Sequence, residues 1–255
     1  MSAGFGDALR AEWTKTRTLA SNGWLLLATV ALTVAVSAAA AAAAAAVRCP
    51  SAGCGRDPAK VSLTGIELGQ AIVAILAVLA ISGEYGTGMI QLSLAATPRR
   101  GRLLAAKAVV LTGLALVTGA VAVLASVLAG LVILPGQLSL GHGPDLRAAA
   151  GSVLYLALIA LLALGTATAV RDSAVAIGIV LGLLYLFPIV ANVVGDAQWQ
   201  RHLQQIGPMT AGLAIQATID LRSQPISPWA GLGVLAAWAA AALLAGLLLL
   251  RLRAA

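Results

Sequence analysis

Residues 148–194 read AAAGSVLYLALIALLALGTATAVRDSAVAIGIVLGLLYLFPIVANVV, two long apolar runs parted only by Arg171-Asp172. Each run has about the ~20 residues a helix needs to cross the hydrocarbon core of a bilayer. The pair therefore reads as two transmembrane helices, near 148–170 and 173–194, joined by a very short turn.

Working outward, four more apolar stretches of spanning length lie near 24–47, 61–82, 108–134 and 229–250. The chain is 60% apolar and 10% charged, with mean hydropathy +0.98. That much hydrocarbon does not fit inside one water-soluble core, so lipid must be its solvent. The expected fold is an all-α membrane protein of six transmembrane helices, with an interfacial helix before them and a re-entrant segment before the last. Residues 1–255 form a single transmembrane domain, which leaves no room for a soluble one.

Cationic loops beside helix ends stay in the cytoplasm. With the N-terminus inside, the cytoplasmic segments hold Arg10, Lys15, Arg17, Arg99, Arg100, Arg102, Lys107, Arg171, Arg251 and Arg253, ten of the sixteen basic residues. Both termini are therefore expected in the cytoplasm and the protein in the plasma membrane. The net charge of +7 is spread over span ends and forms no single basic face, so nucleic acid is not an expected partner.

In residues 5–18, FGDALRAEWTKTRT, Phe5, Leu9 and Trp13 share one helical stripe while Arg10, Lys15 and Arg17 lie elsewhere. This pattern suits an amphipathic helix on the inner membrane surface. The first apolar run exceeds the ~7–15 residue core of a secretory signal and is read as an uncleaved span. Its alanine run, Ala38 to Ala46, is expected to pack closely against protein. Cys49 and Cys54 fall in the first outer loop, where they form either a small disulfide loop or two free thiols. Pro188 should kink or end the fifth span, with Asn192 just beyond. Residues 195–228 are too apolar for a solvated loop, yet Gly207-Pro208 and several polar residues interrupt a span. A re-entrant or interfacial hairpin on the outer side is expected.

Signatures of chemistry are missing. No G-x-x-x-x-G-K-[ST] loop is present, so any ATP hydrolysis must come from another protein. Gly83, Gly86 and Gly88 do not open a βαβ helix. His142 and His202 lack ligand-spaced partners, and no serine sits in G-x-S-x-G. Glu67 is the one ionisable residue expected near membrane depth, with Gln70 on the same helical face. Together they line a substrate cavity, or the carboxylate reaches out to the headgroups. Lys107 reads as an anchor at the inner surface. Arg171-Asp172-Ser173 reads as an inner contact or simply as a helix N-cap.

Three passages carry a family likeness: RAEWTKTRT at 10–18, GEYGTGMIQLSLAATPRRGRLLAAK at 83–107, and GPMTAGLAIQ at 207–216 with SPWAGLGVLAAWAAAALLAGLLLLRLR at 227–253. The chain resembles the permease subunits of type-2 ABC (ABC-2) exporters, particularly a branch common in actinobacteria. The middle passage is the specific one. The family often carries a basic residue where Gly86 and Gln91 stand here, so the electrostatics of this connector are weaker than usual. The resemblance implies that residues 83–102 form a cytoplasmic coupling loop seated on a separate ATPase, contacted by Glu84, Tyr85, Thr87, Met89, Ile90, Thr97, Arg99 and Arg100. The helix carrying Arg10, Trp13, Lys15 and Arg17 would lie alongside. ATP and Mg would bind the partner, with no cofactor on this chain. A second permease copy, identical or not, and membrane lipid complete the expected partners.

The expected function is export of an amphiphilic, drug-like, peptide or lipid-linked substrate, with Glu67, Gln70, Pro188 and Asn192 on the pathway. The rival readings are a non-transporting anchor or immunity subunit, and an ion-coupled carrier that needs no ATPase.

Overall fold

The computed structural model describes residues 4–18, 20–46, 57–86, 100–135 and 143–252. Among them there are helices and no strands. Six helices are long and apolar enough to cross a membrane: α2 (Ala20–Ala46), α4 (Ile66–Gly86), α5 (Arg100–Ile133), α6 (Gly143–Val170), α7 (Ser173–Val193) and α10 (Pro228–Leu252). Four short helices accompany them: α1 (Phe5–Thr18), α3 (Pro58–Ser62), α8 (Ala197–Ile206) and α9 (Pro208–Leu213), the last followed by a 3-10 turn over Ala214–Gln216.

Successive long helices alternate in direction. One end of the bundle, here the terminal end, gathers α1, the starts of α2, α5 and α7, and the ends of α4, α6 and α10. The far end holds α3, α8 and α9. Helix α6 is the hub, packed on α4, α5, α7 and α10, with Tyr155, Leu156, Ile159, Leu162 and Leu164 fully buried. Helix α5 turns Val117, Val121, Leu124, Leu128 and Val132 outward. Their spacing of three and four residues is one stripe of a helix, the face lipid would cover.

Lipid tails are as apolar as leucine, so helices in a bilayer associate by close packing rather than by escaping water. Gly65 and Gly69, a G-x-x-x-G pair, let α4 approach α2 so closely that a Cβ on Gly65 would collide with the Thr33 carbonyl. The Gly65 amide donates to Ser37 Oγ at 3.0 Å. Gly165 and Gly246 do the same for α6 and α10.

Several expectations need correction. The second span begins at Ile66, not 61, because Asp57 caps the separate helix α3 and a turn at 63–65 follows it. Helix α4 continues past Ser82-Gly83 to Gly86, and α5 starts at Arg100 rather than 108. The connector is thus shorter at both ends than 83–102. Pro188 lies inside α7, which runs on to Val193, so of the two effects expected of it the proline does not end the helix, and the span keeps the length read for it. Of the alanine run only Ala41 is fully buried. The close face of α2 is instead Thr29, Thr33 and Ser37. Cys49 and Cys54 lie outside the described residues.

At the far end, the Asp57 carboxylate that caps α3 also accepts from the Thr218 hydroxyl at 2.7 Å. Arg147 donates to the Ala217 carbonyl, and Gln216 Nε2 to Ser152 Oγ at 3.2 Å. These bonds lash the segment between α9 and α10 onto α3 and α6.

Candidate functional site

At the terminal end four charges converge. Lys107 Nζ, on the second turn of α5, lies 2.5 Å from Glu12 Oε2 and 3.1 Å from Glu84 Oε1, and donates to the Ala80 carbonyl at 3.0 Å. Its three protons thus have three acceptors. Lys15 Nζ closes the group at 2.9 Å from Glu12 Oε1 and 2.8 Å from Glu84 Oε1. Glu12, Glu84 and Lys107 are buried, while Lys15 stays at the edge with its side chain 31% exposed. Two carboxylates and two ammoniums balance, the condition under which buried charge is tolerable. Lys107 is therefore buried against protein groups and does not reach out to the surface as an anchor.

The ion cluster also sets protonation. Burial by itself would raise the Glu12 carboxyl, but Lys107 and then Lys15 outweigh it and hold the group below its ordinary value. Burial would lower Lys15, yet its bonds to Glu84 and Glu12 hold it above. Beside this cluster the Arg171 guanidinium stacks over the Tyr85 ring at 5.5 Å, a cation–π contact. Arg171 takes a left-handed φ of 66° at the α6–α7 turn, and Asp172 caps α7 by accepting from the Val175 amide at 2.8 Å.

At the far end a cavity of about 330 Å³ opens between α4, α7, α8 and α9. Glu67, Pro188 and Asn192 line it together with Lys60, Gln204, Met209, Leu213, Gln224 and Ile226. The wall is fixed by backbone contacts: Tyr185 donates its hydroxyl to the Glu67 carbonyl, and Thr210 Oγ1 bonds the Gln204 carbonyl at 2.8 Å. Gln205 Nε2 holds the Pro225 carbonyl at 2.7 Å.

The structure thus brings Glu67, Pro188 and Asn192 to one cavity. It places Gln70 behind the wall, fully buried, accepting from the Tyr155 hydroxyl and donating to Met209 Sδ at 3.2 Å. On α1, Arg10, Trp13 and Arg17 are exposed, and the buried face is Ala8 and Glu12. Glu84 faces Lys15 and Lys107 within the chain. Arg100 opens α5. Thr87, Met89, Ile90, Thr97 and Arg99 lie outside the described residues. Sequence reasoning passed over Glu12, Tyr155 and Tyr185. The i, i+3 spacing of Glu12 and Lys15 was a signal for the first; nothing local marked the tyrosines.

A family model described as "ABC-2 family transporter protein" matches residues 65–253. The chain belongs to the ABC-2 transporter family. It is a multi-pass membrane permease of an ABC-type transporter, and the family implies a partner ATPase. The match begins at Gly65, just before α4, so the ABC-2 region takes in Glu84, Lys107 and the far-end cavity apart from Lys60, while Glu12 and Lys15 are contributed by a helix that precedes it. A comparison with curated proteins found no match.

Proposed function

We propose that the chain is the transmembrane subunit of an ATP-driven exporter in the plasma membrane, working as a dimer of permeases with separate cytoplasmic ATPases. The observation that carries this reading is the buried ion cluster. It clamps α1, the end of α4 and the start of α5 into one unit, and the connector leaves and re-enters that unit at Gly86 and Arg100. Force applied to the connector is then delivered to two spans and the leader helix together, as near-rigid bodies. Glu84 Oε2 is buried with no hydrogen-bond partner among the described residues, which leaves one strong acceptor at the root of the connector. ATP and Mg belong to the partner, and this chain contributes no catalytic residue. Outward movement ends at the far-end cavity, under the interfacial or re-entrant segment of α8 and α9. Its apolar wall and sparse charge suit an amphiphile better than a strongly ionic solute.

The test is purification of the full chain in mild detergent with the soluble proteins of its own cell. An ATPase should accompany it and be lost on Arg99→Glu with Arg100→Glu, whereas Lys107→Met should keep the ATPase and lose transport. A chain that purifies alone under conditions that preserve membrane complexes overturns the reading. Loss of transport in Glu67→Gln with no effect of the connector changes would point instead to an ion-coupled carrier.

A further inference from the structure

Among the described residues the far-end cavity carries one group of each charge, and the two are not paired with each other. The Glu67 carboxylate, half-buried at the first turn of α4, receives no hydrogen bond among the described residues; the bonds of this residue are made by its backbone. The Lys60 ammonium, exposed at the end of α3, lines the same cavity. Each lies within the electrostatic reach of the other, yet no ion pair within 4.0 Å joins them. The side-chain amides of Asn192, Gln204 and Gln224 face this space as well, also without a hydrogen-bond partner among the described residues. Met209, Leu213 and Ile226 supply apolar lining to the same cavity.

We propose that this cavity binds the polar end of a zwitterionic amphiphile, its ammonium on Glu67, its anionic group on Lys60, and its first carbons on the apolar wall. Three observations converge on that class. A ligand carrying both charges neutralises both walls, whereas an anion or a cation alone leaves one charge uncompensated near membrane depth. The amides supply neutral donors and acceptors in the same cavity. About 330 Å³ is at the low end of the ~300–1,000 Å³ of small-molecule sites, room for a headgroup and the start of a chain rather than a whole drug-sized molecule. The proposal deepens the exporter reading by naming its substrate class, but it concerns this chain alone and stands without the ATPase.

The test is equilibrium binding to the full chain in nanodiscs of phosphatidylglycerol. Radiolabelled lysophosphatidylethanolamine is the zwitterionic probe, and lysophosphatidylglycerol of the same tail and hexadecyltrimethylammonium are the competitors. The zwitterion should bind about ten- to hundred-fold more tightly than either, the range of one or two charge-assisted hydrogen bonds. Glu67→Gln and Lys60→Gln should each weaken it about tenfold or more, with unfolding temperatures unchanged. The exchanged pair Lys60→Glu with Glu67→Lys should restore much of the loss. Free phosphoethanolamine competing as well as the lysolipid would assign the site to a soluble zwitterion and overturn the amphiphile. Equal affinity for all three lipids, or binding indifferent to Glu67→Gln, would overturn the site itself. Failure to recover an ATPase would leave these binding results standing, so the two readings fail separately.

Discussion

Lys107 is held by two carboxylates and a carbonyl with its side chain only 4% exposed, so its removal does more than delete three bonds. Lys107→Met leaves Glu12 and Glu84 facing each other in a buried site, and breaking such a group costs about 3–5 kcal/mol. Thermal unfolding of the purified variant should show it. Adding Glu84→Gln should recover most of the loss, because Glu12 then keeps Lys15 as its partner and the remaining charges balance. The pH dependence follows from the same atoms. Glu12 sits below its ordinary 4.5, so its contribution to stability is present above pH 4.5 and is lost as pH falls through the lower folded-state value. Lys15 sits above its ordinary 10.5, so its contribution is present below pH 10.5 and is lost as pH rises through the higher folded-state value. The stability difference between wild type and Glu12→Gln should therefore be flat near neutrality and shrink in acid as Glu12 itself is protonated. For Lys15→Met it should be flat near neutrality and shrink in strong base as Lys15 loses its proton.

Between helices, the decisive contacts are made by residues with almost no side chain. Gly65→Ala should destabilise the protein by about 1–3 kcal/mol, the usual cost of overpacking, since the new methyl meets backbone in α2. Gly113→Ala, on an open face of α5, should be neutral or slightly stabilising by virtue of helix propensity. Comparing the two unfolding temperatures in one detergent separates close approach from a general effect of losing glycine. These cases also show what was legible beforehand. Six spans and the leader helix could be read because length and hydropathy are local properties of a chain. The G-x-x-x-G at 65–69 was passed over in the sequence, and nothing in it names α2 as its partner. The burial of Lys107 was illegible for the same reason. A lysine one or two turns into an apolar run looks like an anchor until α1 and α4 are folded against it. In the cavity, Glu67, Pro188 and Asn192 were legible as polar or helix-breaking residues in apolar spans. Gln70 looked equivalent by spacing, but the Tyr155 hydroxyl claims it from the other side.

At the scale of the molecule, the terminal end and the far end are joined through α4, which carries Glu84 at one end and Glu67 at the other, and through its packing on the hub helix α6. A change imposed at the connector and a ligand held in the cavity therefore act on one rod. If that rod moves as a unit, an occupied cavity should alter the partner ATPase's affinity for nucleotide, and by reciprocity bound nucleotide should alter affinity at the cavity by the same factor. Measuring lysophosphatidylethanolamine binding with and without a non-hydrolysable ATP analogue in the assembled complex checks this; equal affinities would mean that the two ends are uncoupled. The ion cluster has one more consequence, for the ribosome rather than for transport. Glu12 and Lys107 are separated by 95 positions in the chain, and at ~5–20 residues per second the lysine is made roughly 5–20 s after its partner. Through that interval the leader helix is held only by Asn22 of α2 and then by Glu84, so its full attachment must wait until the third span has entered the bilayer, and the fold closes around its first helix rather than growing from it.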